Sequence, residues 1–298
     1  MGWRIVYIED SDYLSLYLDN INIKKNDQDI LIPISDIHTL IIDNYKAVLS
    51  VNLINKCTNY KVNIVLCGFD HLPQSIIHPC SGNNQSPKIL KQQLGWDDEI
   101  KGKLQQLIVK KKIENQAKVL IHNSKGKGVI NKLNQYAKEV LPFDSTNREG
   151  LSAKVYFREL FGQDFMRFDE DSINAGLNYG YAIVRSQITK VLISRGLNTS
   201  LGIFHKGPNN TFNLSDDIIE IFRPLVDNYV YNNIKNDTMF SRHHRLSLIK
   251  LTTKKMLYDG QKHTFLNIIN IYVRKILDCF VYKNVNLTFP ELILYNDI

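Results

Sequence analysis

The chain has 298 residues, of which 44% are hydrophobic and 10% aromatic, and it carries a formal net charge of +7. That is enough apolar material for one large domain or two ordinary ones, and it excludes a disordered chain. There is no apolar run of about 18 residues, no signal-peptide layout at the start and no lipidation motif, so a soluble protein of the prokaryotic cytoplasm with no membrane attachment is expected. The charge is unevenly spread: residues 1–85 hold 6 Lys/Arg against 9 Asp/Glu, and the remainder holds 31 against 21. Residues 101–140 contain 10 lysines against only Glu114 and Glu139. An acidic first part followed by a basic second part implies two domains, with a polyanion meeting the second. Nucleic acid is favoured over a merely solvated helix face. Cys57, Cys67, Cys80 and Cys279 form no Cys-x-x-Cys pair, which argues against a zinc site and for reduced core thiols.

In chain order, Trp3–Ile8, Tyr13–Leu18 and Ile21–Lys24 alternate as strands do, with Asp19-Asn20 as a turn. Asp29–Ile34 and Thr39–Ile42 continue the pattern around Ser35-Asp36. Tyr45–Thr58 has helical spacing at Val48, Val51, Leu53 and Ile54, and Lys61–Gly68 and Ser75–Pro79 read as further strands. Residues 1–80 are therefore expected to form a β-rich domain, a sandwich or a curled sheet. Residues 81–92, beginning Ser81-Gly-Asn-Asn-Gln-Ser-Pro87, read as a linker.

From there the period becomes 3.6, so residues 93–298 are expected to form a larger α-helical domain, giving an α+β protein. Ile89–Leu94 and Ile100–His122 read as helices, the second with Leu104, Leu107, Ile108, Ile113 and Ala117 inward and its lysines outward. Asn131–Val140 is a helix ended at Pro142. Thr146 and Glu149 have capping-box spacing ahead of a helix over Leu151–Phe161. Ser172–Ser194 is a long helix whose Ala175, Gly176, Gly180 and Ala182 allow close approach of a neighbour. Its Asn174, Asn178, Tyr179 and Tyr181 need polar partners. Arg242, His243, His244 and Arg245 lie in a basic stretch, Lys235–Lys262, and Phe265–Phe280 is an apolar closing helix.

The chemistry concentrates in Phe204–Asp227. His205 and Lys206 lead into a Gly-Pro-Asn-Asn loop. A helix is expected next, with Ser215 as N-cap, Asp216, Asp217 and Glu220 on it, and Pro224 at its far end. Carboxylates among Ile218, Ile219, Ile221 and Phe222 are costly to bury unless a cation sits between them. The macrodipole alone explains acids at the first helical positions, but not Glu220. No nucleophile elbow, dinucleotide fingerprint or complete phosphate loop is present, which excludes those hydrolase and nucleotide-binding classes. What is left is an oxygen-plus-imidazole set of Glu149, His205, Asp216, Asp217 and Glu220. It suits Mg²⁺ or Mn²⁺ and, beside a basic face, phosphodiester chemistry. A non-catalytic DNA-binding scaffold with capping acids, or a metal-dependent nuclease, would use the same residues.

Four motifs in register, NREG at 147–150, NAGLNYGY at 174–181, FHK at 204–206 and SDDIIE-I-FRPLVD at 215–227, resemble the CRISPR-associated spacer integrase family, in the branch that accompanies type II-A systems. The resemblance implies a β-rich N-terminal dimerisation domain and a helical catalytic domain. It also implies Mg²⁺- or Mn²⁺-dependent endonuclease and integrase activity, in which prespacer 3′-OH ends attack the CRISPR repeat by transesterification. Glu149, His205 and Glu220 would be metal ligands, Asp217 an accessory catalytic acid and Asp216 a bystander. Arg148, Lys206, Arg223, Lys110, Lys111, Arg242 and Arg245 are candidate DNA contacts. The implied partners are double-stranded DNA, a second copy of the chain, the second Cas protein of adaptation and type II-A accessory proteins.

Overall fold

In the computed structural model, which describes residues 2–10, 13–25, 28–77, 79 and 83–294, the chain divides into two compact units, Met1–Asn84 and Gln85–Ile298. The first unit contains strands β1 (Arg4–Ile8), β2 (Tyr13–Tyr17), β3 (Asn20–Lys25), β4 (Gln28–Pro33), β5 (Ile37–Ile42), β6 (Val48–Leu49), β7 (Asn63–Cys67) and β8 (Pro73–Ile77), with helix α1 (Val51–Asn59) between β6 and β7. They form two four-stranded sheets, ordered β1-β5-β7-β8 and β4-β3-β2-β6. Every residue of β5, His38 and Thr39 included, is buried, with β1 and β7 flanking it in parallel register. Ile8, Leu14, Ile21, Leu40, Leu53 and Ile64, drawn from both sheets and α1, share one core.

The expected helix over Tyr45–Thr58 is shorter than its spacing suggested. Val48 and Leu49 pair in parallel with β2, and α1 begins at Val51, where Ser50 Oγ accepts from Leu53 N at 3.3 Å. A serine N-cap outweighs apolar periodicity in setting where the helix starts. The expected linker is also largely structured: α2 (Ser86–Leu94) takes up most of residues 81–92, with Pro87 in its first turn. Of that linker, Ser81 and Gly82 lie outside the described residues, as does Cys80. Cys57, Cys67 and Cys279 are in no disulfide.

The second unit continues with α3 (Asp98–His122), α4 (Lys127–Glu139), α5 (Arg148–Phe161), α6 (Ser172–Ser194), α7 (Asn213–Ile219), α8 (Arg223–Asn233), α9 (Arg242–Leu251) and α10 (Phe265–Val281). A 3-10 turn, Glu220–Phe222, joins α7 to α8, and a hairpin of β9 (Lys255–Tyr258) and β10 (Gln261–Thr264) separates α9 from α10. That hairpin was hidden inside a basic stretch; its Asp259-Gly260 turn, with φ of 50° and 77°, is the sequence sign that marks it. Gly180 on α6 faces α8, and a Cβ there would fall on the Val226 side chain, so a small residue is needed for the approach of these helices. Among the described residues no helix is long and apolar enough to cross a membrane.

Candidate metal and phosphodiester site

Helix α3 is the scaffold of the site. Asp97 caps it, its Oδ1 accepting from Glu99 N at 2.8 Å and Ile100 N at 3.1 Å. The face expected to turn inward does so at Leu104, Ile108, Ile113 and Ala117, but the buried stripe is wider than the apolar residues and also takes in Lys112, Asn115 and Gln116. Asn115 Nδ2 donates to the Ile221 carbonyl at 2.9 Å, which pins the 3-10 turn carrying Glu220 against α3. Lys112, nearly one turn earlier, therefore points at Glu220 rather than at solvent.

The Lys112 ammonium lies between two carboxylates. Its Nζ donates to Glu149 Oε1 at 2.6 Å and contacts Glu220 Oε2 on the other side. Glu220 Oε1 accepts from Arg223 Nε at 2.9 Å, and the Arg223 guanidinium lies 4.6 Å from the Tyr181 ring centroid. Burial pushes the Glu220 carboxyl up, but Arg223 and Lys112 override it and hold the group well below the usual carboxylate range. Glu220 Oε2 is buried and, despite its charge contact with Lys112, receives no hydrogen bond of proper geometry.

Glu149 reaches this cluster from the first turn of α5. The expected capping box does not form: Asn147 is the N-cap with no side-chain bond, and Asp144 takes the helix N–H groups instead. Its two oxygens accept from Arg148 N at 2.8 Å and Glu149 N at 2.9 Å. Phe143, Asp144 and Asn147 all have left-handed backbones, so this loop is held in a costly conformation at the point where it delivers Glu149. With the cap supplied by Asp144, the Glu149 carboxylate is free to turn inward.

His205 and Asp217 form the third corner. Ser215 is not an N-cap but sits inside α7, where its hydroxyl meets Thr189 Oγ1 at 2.8 Å. Asp217 is fully buried and gathers the 203–205 backbone. Its Oδ1 accepts from His205 N at 2.9 Å and pairs with His205 Nδ1 at 2.7 Å, while Oδ2 accepts from Ile203 N and, at 3.3 Å, from Phe204 N. Gly202 makes this wrap feasible, since a Cβ there would fall on the His205 carbonyl. Burial raises the Asp217 carboxyl against the pull of His205 and these amides. Burial also disfavours charge on His205, but Asp217, Glu220 and Glu149 together outweigh it and raise the imidazole pKa. With Nδ1 committed to Asp217, Nε2 is the ring nitrogen left for a further partner. Asp216 turns away from the cluster, toward Asn210 Nδ2 at 2.8 Å and Arg185 Nη1 at 3.6 Å.

A metal ion suits these donors. Two carboxylates and an imidazole oriented by a carboxylate are the donor types for Mg²⁺ or Mn²⁺, and Glu220 Oε2 is an already desolvated oxygen that faces a cation. Among the described residues no three ligand side chains yet converge on one point. Lys112 lies between two of the candidate ligand groups.

Beside His205 opens a cavity of about 510 Å³ lined by Lys101, Ser200, Lys206, Asn210, Thr211 and Asn213 among others. Of the candidate DNA contacts, Lys110, Lys206 and Arg242 are exposed. Lys111 is half-buried near Glu114 at 3.8 Å, and Arg148 lies 3.0 Å from Glu139. Arg245 is buried, which corrects its expected place on a DNA-facing surface: it packs on the inner side of α9. Sequence reasoning missed Lys112, counting it among the basic-face lysines, and missed Tyr156 and Asp227. Asp227 Oδ2 accepts from Tyr156 Oη at 3.0 Å and Oδ1 accepts from Tyr181 Oη, so Asp227 is the partner that Tyr181 was expected to need.

The family model for CRISPR associated protein Cas1 matches residues 5–266. A CRISPR-associated endonuclease Cas1 from Neisseria meningitidis is 36% identical over 228 residues, covering 76% of this chain and 74% of the relative. A solved casposase bound to integration product superposes with a TM-score of 0.77 at 20% identity, over 97% of this chain and 93% of that one. A Cas6-RT-Cas1–Cas2 complex superposes with a TM-score of 0.78 at 18% identity, over 98% of this chain and 36% of that one. The fold, the pairing of the motif residues Glu149 and Glu220 on Lys112 and these matches agree, and the chain belongs to the Cas1 family of CRISPR-associated proteins.

Proposed function

We propose that this chain is a metal-dependent DNA endonuclease and integrase of CRISPR adaptation, which inserts prespacer DNA into the repeat array by transesterification. The observation that carries the reading is the pairing of Glu149 and Glu220, from two separate elements, on the buried Lys112 ammonium, with the Asp217-anchored His205 imidazole near enough to respond to both carboxylates. In support, the Neisseria relative is named an endonuclease, and a protein of the same fold was solved on an integration product.

Glu149, Glu220 and His205 Nε2 would hold Mg²⁺ or Mn²⁺. When bound, the ion supplies Lewis-acid polarisation of the phosphoryl oxygen and activates the attacking hydroxyl. Asp217 fixes the imidazole orientation, so His205 pays no ordering entropy when it engages. Arg223, held against Glu220 and the Tyr181 ring, offers positive charge to a phosphate, and Lys206 lines the neighbouring cavity. Arg148, Lys110, Lys111 and Arg242 would track the DNA backbone, an electrostatic role that carries no sequence information. The unit Met1–Asn84 would mediate a homodimer. The second Cas protein would join it, as the solved Cas1–Cas2 complex suggests, with type II-A accessory proteins as further partners, all in the cytoplasm.

Glu149→Ala, His205→Ala and Glu220→Ala should each abolish Mg²⁺- or Mn²⁺-dependent strand transfer into a repeat-bearing plasmid. Wild-type-like transfer by any two of them would overturn the assigned site. The contact of both glutamates with Lys112 favours a second reading, a DNA-binding scaffold without catalysis. That reading predicts DNA products unchanged by chelator in the same assay.

A further inference from the structure

Lys112 has a place in the site that the ligand set alone does not explain. It is buried on α3, its side chain 10% exposed, and its ammonium touches both glutamates that the reading above makes ligands. Without it, Glu149 and Glu220 would be two like charges facing one another with only Arg223 on the far side of Glu220 to offset them. Carboxylates so placed repel and would draw apart or take up a proton. The Asn115 bond to Ile221 fixes the register of α3 against the Glu220 turn, so the position of Lys112 is built in rather than a chance of rotamer.

The ammonium does not satisfy the site fully. It hydrogen-bonds Glu149, and it meets Glu220 Oε2 as a close ion pair without hydrogen-bond geometry. A buried charged oxygen in that state is poised for a better partner. A flexible lysine stem can also withdraw its charge, which the planar fork of Arg223 bonded at Nε does less readily.

We propose that Lys112 is a positioning residue that acts as the internal counter-cation of the site. It supplies the positive charge between Glu149 and Glu220 before the divalent ion enters, and the ion displaces its ammonium from between them. The inference rests on the metal site proposed above and adds to it. Lys112 competes with the ion, so it sets how tightly the ion binds and prevents the free protein from carrying two uncompensated glutamates. A merely structural ion pair would behave differently, since breaking it would loosen the site and weaken metal binding.

The test is Mn²⁺ binding followed by electron paramagnetic resonance, with thermal melts in chelator and in saturating Mn²⁺, on wild type, Lys112→Met and Glu149→Gln. Lys112→Met should melt lower in chelator, gain more from Mn²⁺ than wild type does, and bind Mn²⁺ about tenfold more tightly, because a like charge no longer has to be moved aside. Glu149→Gln should bind Mn²⁺ more weakly than wild type. Equal or weaker Mn²⁺ affinity in Lys112→Met, with Glu149→Gln still weakened, would overturn the counter-cation role alone. Absence of Mn²⁺ binding by every protein would overturn the metal site and this inference with it. Should Lys112→Met not fold in chelator, adding Glu149→Gln removes the repulsion and should restore folding. Failure of that double variant to fold in chelator counts against the proposal.

Discussion

Two buried carboxylates seven residues apart, Glu220 and Asp227, titrate in opposite directions. Both are almost wholly inaccessible, 2% and 1% exposed, so desolvation acts on each in the same sense. Glu220 is faced by the full charges of Arg223 and Lys112 and stays ionised far into acid. Asp227 is faced by the hydroxyls of Tyr181 and Tyr156. Burial pushes its pKa up to about 6, and these hydrogen bonds offset the burial only in part. Burial does not by itself decide the state of a carboxylate; the neighbours do, and cations next to a would-be ligand keep it deprotonated and ready for metal.

The comparison can be broken most forcefully at Glu220. Glu220→Ala leaves the buried Lys112 and the half-buried Arg223 with one carboxylate fewer, and should cost about 3–5 kcal/mol of stability in chelator by urea denaturation. The more exposed Glu149, replaced by Ala, should cost less in the same measurement.

At Asp227 the sign is reversed and pH reads it. Its folded pKa lies above the unfolded value of 3.8, so the stability it contributes is fully present below that value and is lost as pH rises through about 6. The stability advantage of wild type over Asp227→Asn should therefore shrink by roughly 2–3 kcal/mol between about pH 4 and about pH 7. An advantage that stays constant across that window would show that Asp227 titrates normally. Tyr181→Phe sharpens the same point. It removes one donor to Asp227, should cost about 1–3 kcal/mol and should move the pH window higher. The smallest effect belongs to the surface: Lys110→Ala should leave stability unchanged and reduce the slope of log affinity for DNA against log salt by about 0.9, if it neutralises one phosphate.

Some of this was written locally. A strand-rich first part and helical second part follow from a change in apolar period, and Ser172–Ser194 was legible to the residue because Asp171 caps it, accepting from Asn174 N, and its apolar pattern is unbroken. Glu149, His205 and Glu220 stood out as polar residues of ligand type in motifs; the structure brings Glu149 and Glu220 to one lysine and ties His205 to Asp217. The parallel pairing of β5 with β1 and β7 was not legible, because strand direction depends on which distant segments meet. The Asp259-Gly260 hairpin was marked only by its turn residues, because its four-residue strands lie inside a basic stretch.

The sequence by itself determined the elements and the chemical types at the site, since both depend on side-chain character and spacing along a few turns. Only the tertiary structure decided which charges face each other. Lys112 is one of ten lysines between residues 101 and 140, and nothing in its neighbours marks it as the inward one. Its burial is set by the Asn115 contact with Ile221, 106 residues away, which brings Glu220 beneath it. Asp217 likewise became an anchor for His205, rather than a helix-start acid, because α7 begins two residues before Ser215 and closes on the 203–205 backbone. A charge's partner is a long-range fact, and in the low dielectric of the interior the partner fixes what the charge can do.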